Sequence, residues 1–355
     1  MTAPNDSPSQ RAYVLDVLRL FAIFQMVQGH TVDAVLDQVH RTGPIHAAWQ
    51  SARGLTSVAF LFLAGASFAF ATRSERGRGP AARARRMRRA AMLIGLGYAL
   101  RAPFVALLFG DAVAQASALH QAVVVDVLQC IGVTLLGLEG LTLLTPDLEQ
   151  RTKAAFAIGA FLIVLGPLAT ELEASGPLRP LLAYATSNGG SLFPLIPWAG
   201  HALLGAALGP MFFDHAAESV GMQRGRRAFR LTLLGGLLIA LGAWLGAEAH
   251  PALGHFARAG SVLLVAAALA PLEDVFARWP SWLLSLAQHS LLIYLVHVVL
   301  AYGQGVGLAS LVGRTLGPWA AIFAAAAMVL VSVLAALAYD AMQRRGSLAA
   351  RAAPG

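Results

Sequence analysis

Cysteine is almost missing from this chain of 355 residues: Cys130 stands alone, inside an apolar run. One thiol excludes an intrachain disulfide framework and a cysteine-based metal site, and Cys130 reads as a buried thiol. Charge is scarce as well. Only 12% of residues are charged, where a soluble domain carries about 25%. There is no glycine loop of the nucleotide-binding kind and no long polar stretch that would make a separate soluble domain. The opening "MTAPNDSPSQ" lacks a basic n-region, and the first apolar run has no small-residue cleavage site, so that run reads as a retained helix rather than a signal peptide.

What is present is apolar. Hydrophobic residues make up 57% of the chain, and the mean hydropathy is +0.65. Long apolar runs at this density predict an all-α, polytopic integral membrane helical bundle. Ten segments approach the length of about 20 residues that crosses a hydrocarbon core. They are 14–37, 55–72, 90–109, 122–145, 154–170, 192–213, 229–247, 257–275, 282–303 and 317–342. The implied organisation is an N-terminal tail over 1–13, a transmembrane domain over 14–342 and a C-terminal tail over 343–355. Gly205 and Gly209 form a G-x-x-x-G, the spacing of close helix contact and of a candidate homodimer.

The net charge of +8 is distributed as membrane orientation requires, so it is not a nucleic-acid signal. The segment "RSERGRGPAARARRMRR" holds eight arginines, and "QRGRR" and "QRRGSLAAR" fall on the same side of an even span count. Basic loops lie on the cytoplasmic side, so both termini are expected there. The Arg73–Arg89 run is then a topology anchor that also attracts anionic lipid. A landing site for an anionic cofactor is its other reading.

The first span, "LDVLRLFAIFQMVQGH" and its continuation, is unusually polar. Ionisable groups in lipid are costly and usually face a bundle interior or a wet cavity. At 100° per residue, Arg19, His30, Asp33 and Asp37 fall on one stripe, with His30 about 16 Å beyond Arg19. The plain reading is a polar seam between helices. The sharper one is an active-site wall, with Arg19 holding an anion and His30 acting as a base near working pH. Asp33, one turn from His30, is placed to orient the imidazole. "GPIHAAWQSARG", read as an outer loop, adds His46, Trp49 and Arg53. Further polar positions are Asp126 and Gln129 in "VVVDVLQCIG", Trp198 and His201 in "FPLIPWAGHALLG", and His289, Tyr294 and His297 in "QHSLLIYLVH". For each of these, structural packing competes with a functional role. The histidines lack metal-ligand spacing, so no metal is expected.

Five ordered segments, "LDVLRLFAIFQMVQGH", "FLFLAGASFAF", "VDVLQCIG", "FPLIPWAGHALLG" and "SLLIYLVH", resemble those of bacterial relatives of heparan-α-glucosaminide N-acetyltransferase. The resemblance runs from Leu15 to about His297. It extends to the wider transmembrane acyltransferases, including acyltransferase family 3, whose first span carries an Arg, ten residues and a His, as Arg19 and His30 do here. The eukaryotic branch has a His-Ala-small-Trp element between its first two spans, and its histidine is the catalytic candidate; "HAAW" puts His46 there. That branch has asparagine at the position of His30, so both histidines are nominated. Two departures stand out: Leu20 follows Arg19 where the family usually has glycine, and Gly29 precedes His30 where near relatives often have aspartate.

The resemblance implies acetyl or other acyl transfer across a bacterial inner membrane. Cytoplasmic acyl-CoA would be the donor, and an amine or hydroxyl of a sugar or glycan on the outer face the acceptor. His30, His46 and Asp33 are the catalytic candidates. Arg19, Arg101 and Gln129 are the candidate cofactor contacts, and Asp126, Trp49, Trp198 and His297 the candidate substrate contacts. The expected partners are acyl-CoA, the acceptor and the bilayer, without nucleic acid or metal. Two competing classes remain: a transporter or flippase, against which no inverted repeat or pair of broken helices is visible, and a membrane protein that keeps the fold without the chemistry. Within the enzyme class, O-acylation with a longer chain is also open.

Overall fold

The structure, a computed structural model, describes residues 13–213 and 220–352. Its regular structure is helical throughout these residues, apart from one isolated bridge between Leu36 and Leu316. The principal helices are α1 (Tyr13–Val35), α2 (Gly43–Ala71), α3 (Pro80–Arg101), α4 (Val127–Leu144), α5 (Leu148–Val164), α6 (Leu195–Leu208), α7 (Val220–Glu248), α8 (His255–Leu269), α9 (Ser281–Leu286), α10 (Ser290–Tyr302) and α11 (Pro318–Ala352). Among the described residues, six stretches are long and apolar enough to cross a membrane: Gly43–Ala71, Val127–Leu144, Leu195–Phe212, Gly221–Glu248, Pro251–Ala277 and Pro318–Arg345. Ser290–Tyr302 is a shorter apolar helix. The chain is therefore a multi-pass membrane protein.

Each of the ten expected segments contains helix, but only these six meet span length and apolarity among the described residues, and several boundaries differ. The "HAAW" segment is not a loop: it forms the first turns of α2. The sequence reading misplaces it because two turns of moderate polarity precede the apolar run. The third expected span breaks at Ala102 and Pro103, since proline cannot continue the ladder of α3. The ninth breaks between α9 and α10, at Ala287–His289. Interrupted helices are thus present where none was read. α11 continues through the expected C-terminal tail to Ala352.

The chain divides into two compact units. The first is Met1–Leu15 with Ser57–Ala277. Within it, α3 pairs with α4, α5 with α6, and α7 with α8. The G-x-x-x-G of α6 does make a close helix contact. A Cβ on Gly205 would overlap the backbone of Phe62, and one on Gly209 would press on Ala66 and Ala69. With no water to drive association in lipid, such backbone proximity is what holds helices together. Phe68, Leu138, Ala155, Leu203, Ala206 and Ala207 pack into one apolar cluster beside it. Cys130 is buried on α4, as expected. The basic "QRGRR" segment is tied down: Arg227 meets Glu273 at 2.9 Å, and Arg224 binds both Glu273 and Asp274.

The second unit is Asp16–Thr56 with Arg278–Gly355. Its core includes Ala34, Val35, Leu36 and Ala321. The C-terminus of α1 leaves carbonyls without helical partners, and the fold supplies donors to several of them. Arg41 donates from Nη2 to the Asp33 carbonyl at 2.6 Å and from Nε to the Leu36 carbonyl at 3.0 Å. Leu316 N–H donates to the Val35 carbonyl, and Asp37 N–H to the Leu316 carbonyl, both at 2.9 Å. A guanidinium at this end also matches the negative pole of the helix.

Candidate active site

The site is built on α1, the first turns of α2, and α10, all within the second unit. His30 lies on α1, facing α10. Its Nδ1 is 3.0 Å from Nε2 of His297, and the rings stack at 5.2 Å between centroids. His297 is fully buried. Its own Nδ1 lies 2.8 Å from the carbonyl oxygen of Ile293, one turn back on α10. Tyr294 packs edge-on to His297, and the Tyr302 hydroxyl donates to the His30 carbonyl at 3.0 Å.

This chain of contacts sets the tautomers. A carbonyl oxygen only accepts, so Nδ1 of His297 carries hydrogen. In neutral His297 the lone pair is then on Nε2, and Nδ1 of His30 must donate to it. The remaining nitrogen of His30, Nε2, is left with a lone pair. A buried histidine and a main-chain carbonyl thus hold His30 in the tautomer of a general base, the service a carboxylate performs in a Ser-His-Asp triad.

Asp33 does not orient His30. It binds the guanidinium groups of Arg53 and Arg41, the latter at 3.4 Å. Helical spacing put Asp33 near His30, but the arginine cations of α2 and of the segment after α1 attract the carboxylate more strongly. Asp37 also leaves the expected stripe, because α1 ends at Val35. It accepts from His40, whose hydrogen bond holds the Asp37 carboxyl below its ordinary value. Arg19 stays on α1, 3.2 Å from Asp16.

On α2, His46 packs against Trp49 with ring centroids 5.5 Å apart. Trp49 donates from Nε1 to Gln28 at 3.1 Å, which ties α2 to α1. Arg53 lies over the Trp49 ring and crosses α1 at Gly29. A Cβ on Gly29 would sit 3.0 Å from Nε of Arg53 and 3.1 Å from its Cδ. That is a physical reason for glycine at this position. Nε2 of His46 is buried without a protein partner.

The remaining candidates fall in the first unit. Asp126 caps α4 and accepts from Arg101 Nε at 2.9 Å. Gln129 completes the capping box: Oε1 accepts from Asp126 N–H, and Nε2 donates to the Val124 carbonyl. Gln129 is fully buried, and Gly97 leaves it room. Trp198 packs edge-on to His255 at 4.8 Å. His255 itself forms a buried pair with His201, 2.9 Å apart. His201 stands out in the sequence, whereas His255, in "GHFARAG" with Arg258 three residues on, gives no local sign of its partner. Sequence reasoning also passes over Tyr302 and Arg41; neither lies on a helical stripe with His30. No group of three or more potential metal ligands occurs among the described residues.

The chain matches the family described as heparan-alpha-glucosaminide N-acetyltransferase, catalytic, over residues 11–241. The matched stretch includes Arg19, His30, Asp33, His46 and Trp49; His297 lies beyond it. No curated protein matches the chain. With a match over well more than half its length and six helices able to cross a membrane, the chain belongs to the heparan-alpha-glucosaminide N-acetyltransferase catalytic family and is a multi-pass membrane enzyme of the acetyltransferase type.

Proposed function

We propose that this enzyme transfers the acetyl group of acetyl-CoA, taken from the cytoplasm, to an amine or hydroxyl of a sugar or glycan on the outer face, with His30 as the general base. The observation that carries this reading is the relay from the Ile293 carbonyl through His297 to His30. Nε2 of His30 accepts the proton of the attacking amine or hydroxyl. The new N–C or O–C bond forms as the C–S bond breaks, and His30 returns the proton to the departing thiolate. Proton transfer of this kind contributes roughly 10²–10⁴ in rate. Holding thioester and acceptor together in a dry site supplies more. Arg53 and Arg41 bind Asp33 beside His30 and keep that carboxylate from competing for the Nδ1 hydrogen.

Arg19 as a cofactor contact and Trp49 as a substrate contact carry over into this reading, within a transmembrane domain over 14–342. Arg101, Asp126 and Gln129 are engaged with one another at the start of α4, and Trp198 packs on His255, so these four leave it. His297 moves from substrate contact to positioning residue. One observation favours a second reading, in which His46 is the base: its Nε2 is buried with no protein partner. Release of free CoA thiol from acetyl-CoA, measured with a panel of amino sugars, tests both. Release that requires an acceptor and is lost in His30→Ala supports the first reading. Loss in His46→Ala alone supports the second. Full release in both variants, or no acetyl-CoA binding, overturns the proposal.

A further inference from the structure

The start of α3, the end of α4 and the start of α5 hold a cluster of arginines that neither the fold nor the proposed chemistry explains. Arg151, near the start of α5, is 6% exposed, yet its Nη1 and Nη2 have no protein acceptor. Its charged neighbours are Arg78, Asp147 and Glu139. Glu139, on α4, is 4% exposed and is shared by Arg86, which it binds, and Arg83, 3.9 Å away. Arg86 Nη2 and Arg83 Nε are likewise buried without a hydrogen-bond partner, as is Oε2 of Glu139, so the donors left over still outnumber the acceptor. Four guanidinium groups thus face two carboxylates. One of those, Asp147, already caps α5 by accepting from Gln150 N–H.

A buried polar group left without a hydrogen-bond partner carries the full cost of its lost hydration, and more when it is charged. Surface arginines that only mark membrane orientation have no reason to bear that cost; they reach water. Burial, with Arg78 nearby, holds the Arg151 pKa below its ordinary value. Arg86 also lines a separate open surface cleft with Gly77, Ser74, Arg76, Arg85 and Arg89, so it stands between the buried cluster and a basic surface. Arginine forks match phosphate oxygens in pairs, and they outnumber the carboxylates here.

We infer that Arg151, with Arg78, Arg83 and Arg86, forms a phosphate-binding site where the start of α3, the end of α4 and the start of α5 meet. Two sources share this chemistry: the phosphate groups of a nucleotide such as the adenosine 3′,5′-bisphosphate head of CoA, or the headgroup of an anionic phospholipid. The nucleotide source rests on the acetyl-CoA reading above; the site itself does not.

The test titrates the full-length protein in neutral detergent with adenosine 3′,5′-bisphosphate, with inorganic phosphate and with short-chain phosphatidylglycerol. Binding is read by calorimetry and by thermal shift. Wild type is compared with Arg151→Gln, Arg151→Lys and the exposed control Lys153→Gln. The expected result is saturable binding of at least one ligand, weakened about tenfold or more in Arg151→Gln and unchanged in Lys153→Gln. Arg151→Lys keeps a charge but not the fork, and shows an intermediate loss if Arg151→Gln does not fold. Preference for the bisphosphate assigns the site to nucleotide, and preference for the lipid assigns it to the bilayer; both uphold it. Equal affinity in wild type and the Arg151 variants overturns the site, as does the lack of any saturable binding. Acceptor-dependent CoA release measured on the same wild-type sample separates the two proposals. Release without phosphate binding leaves the acetyl-transfer reading standing and removes the site; binding without release does the reverse.

Discussion

His297→Ala separates a relay from a pair of histidines that merely touch. The substitution removes the acceptor of the His30 Nδ1 hydrogen, at 3.0 Å in the intact protein. A buried donor left without a partner costs about 1–3 kcal/mol. That penalty falls on the tautomer that leaves Nε2 free, so the competent population shrinks accordingly. At about 1.4 kcal/mol per factor of ten, acetyl transfer should slow roughly 5- to 150-fold. The effect belongs in kcat more than in KM, because His297 touches His30 and not the acceptor. His30→Ala should cost more, roughly 10²–10⁴-fold, as loss of a general base does. The decisive sample is the double variant. If His297 acts only through His30, the double variant is no slower than His30→Ala, and the two effects are strongly non-additive. His297→Gln should recover part of the rate, since its Oε1 reaches the region of the imidazole Nε2 and accepts the same hydrogen. The assay is acceptor-dependent CoA thiol release by the purified enzyme. Full multiplication of the two single effects in the double variant would refute the relay. So would a His297→Ala rate within twofold of wild type.

Other expectations rest on separate features. Glu139→Ala leaves Arg86 and Arg83 without their buried counter-charge, and should destabilise the protein by about 3–5 kcal/mol in thermal or denaturant unfolding. Gly205→Leu drives a side chain into the Phe62 backbone; overpacking of this kind costs about 1–3 kcal/mol or more, and a shift in the unfolding midpoint reports it. Gly29→Val should displace Arg53 from its path over α1 and lower kcat without loss of expression, whereas an unchanged rate would show that the arginine's position is irrelevant to the chemistry. Tyr184 shares its hydroxyl proton with Tyr98 at 2.8 Å, and burial pushes its pKa up. A raised folded-state value means stability that is complete below the ordinary tyrosine pKa of about 10 and is lost as pH rises above it. Unfolding measured from pH 8 upward should show that loss, and Tyr184→Phe should reduce it.

Much of this arrangement was readable before any coordinates. Apolar runs at span length marked the helices, because lipid imposes one solution on the backbone. Arg19 and His30 stood out because ionisable groups in such a run are expensive. The Gly205/Gly209 spacing pointed to a close helix contact, though not to its partner α2. What could not be read is pairing at long range. His30 and His297 are 267 residues apart, and nothing local to either indicates the other. Asp33 was assigned to His30 by helical spacing, which ranks neighbours on one helix and is silent about cations on the next. The "HAAW" segment looks like a loop because its turns are less apolar than the run that follows, yet they continue the same helix. Interruptions at Ala102–Pro103 and Ala287–His289 shorten two spans that composition alone would make continuous.

The last member of the relay is a main-chain carbonyl, and this affects how the site can change over time. Substitution at position 293 alters a side chain and leaves the carbonyl oxygen where it is. The anchor of the base is therefore exempt from ordinary point mutation, so long as α10 keeps its helical turn. Only two of the three members are written in side chains. A search for conserved triads across relatives would find two coupled histidines and no third residue, and could pass over a functioning relay. Drift at Ile293 should be free within the limits of helix packing, while His30 and His297 should change together or not at all.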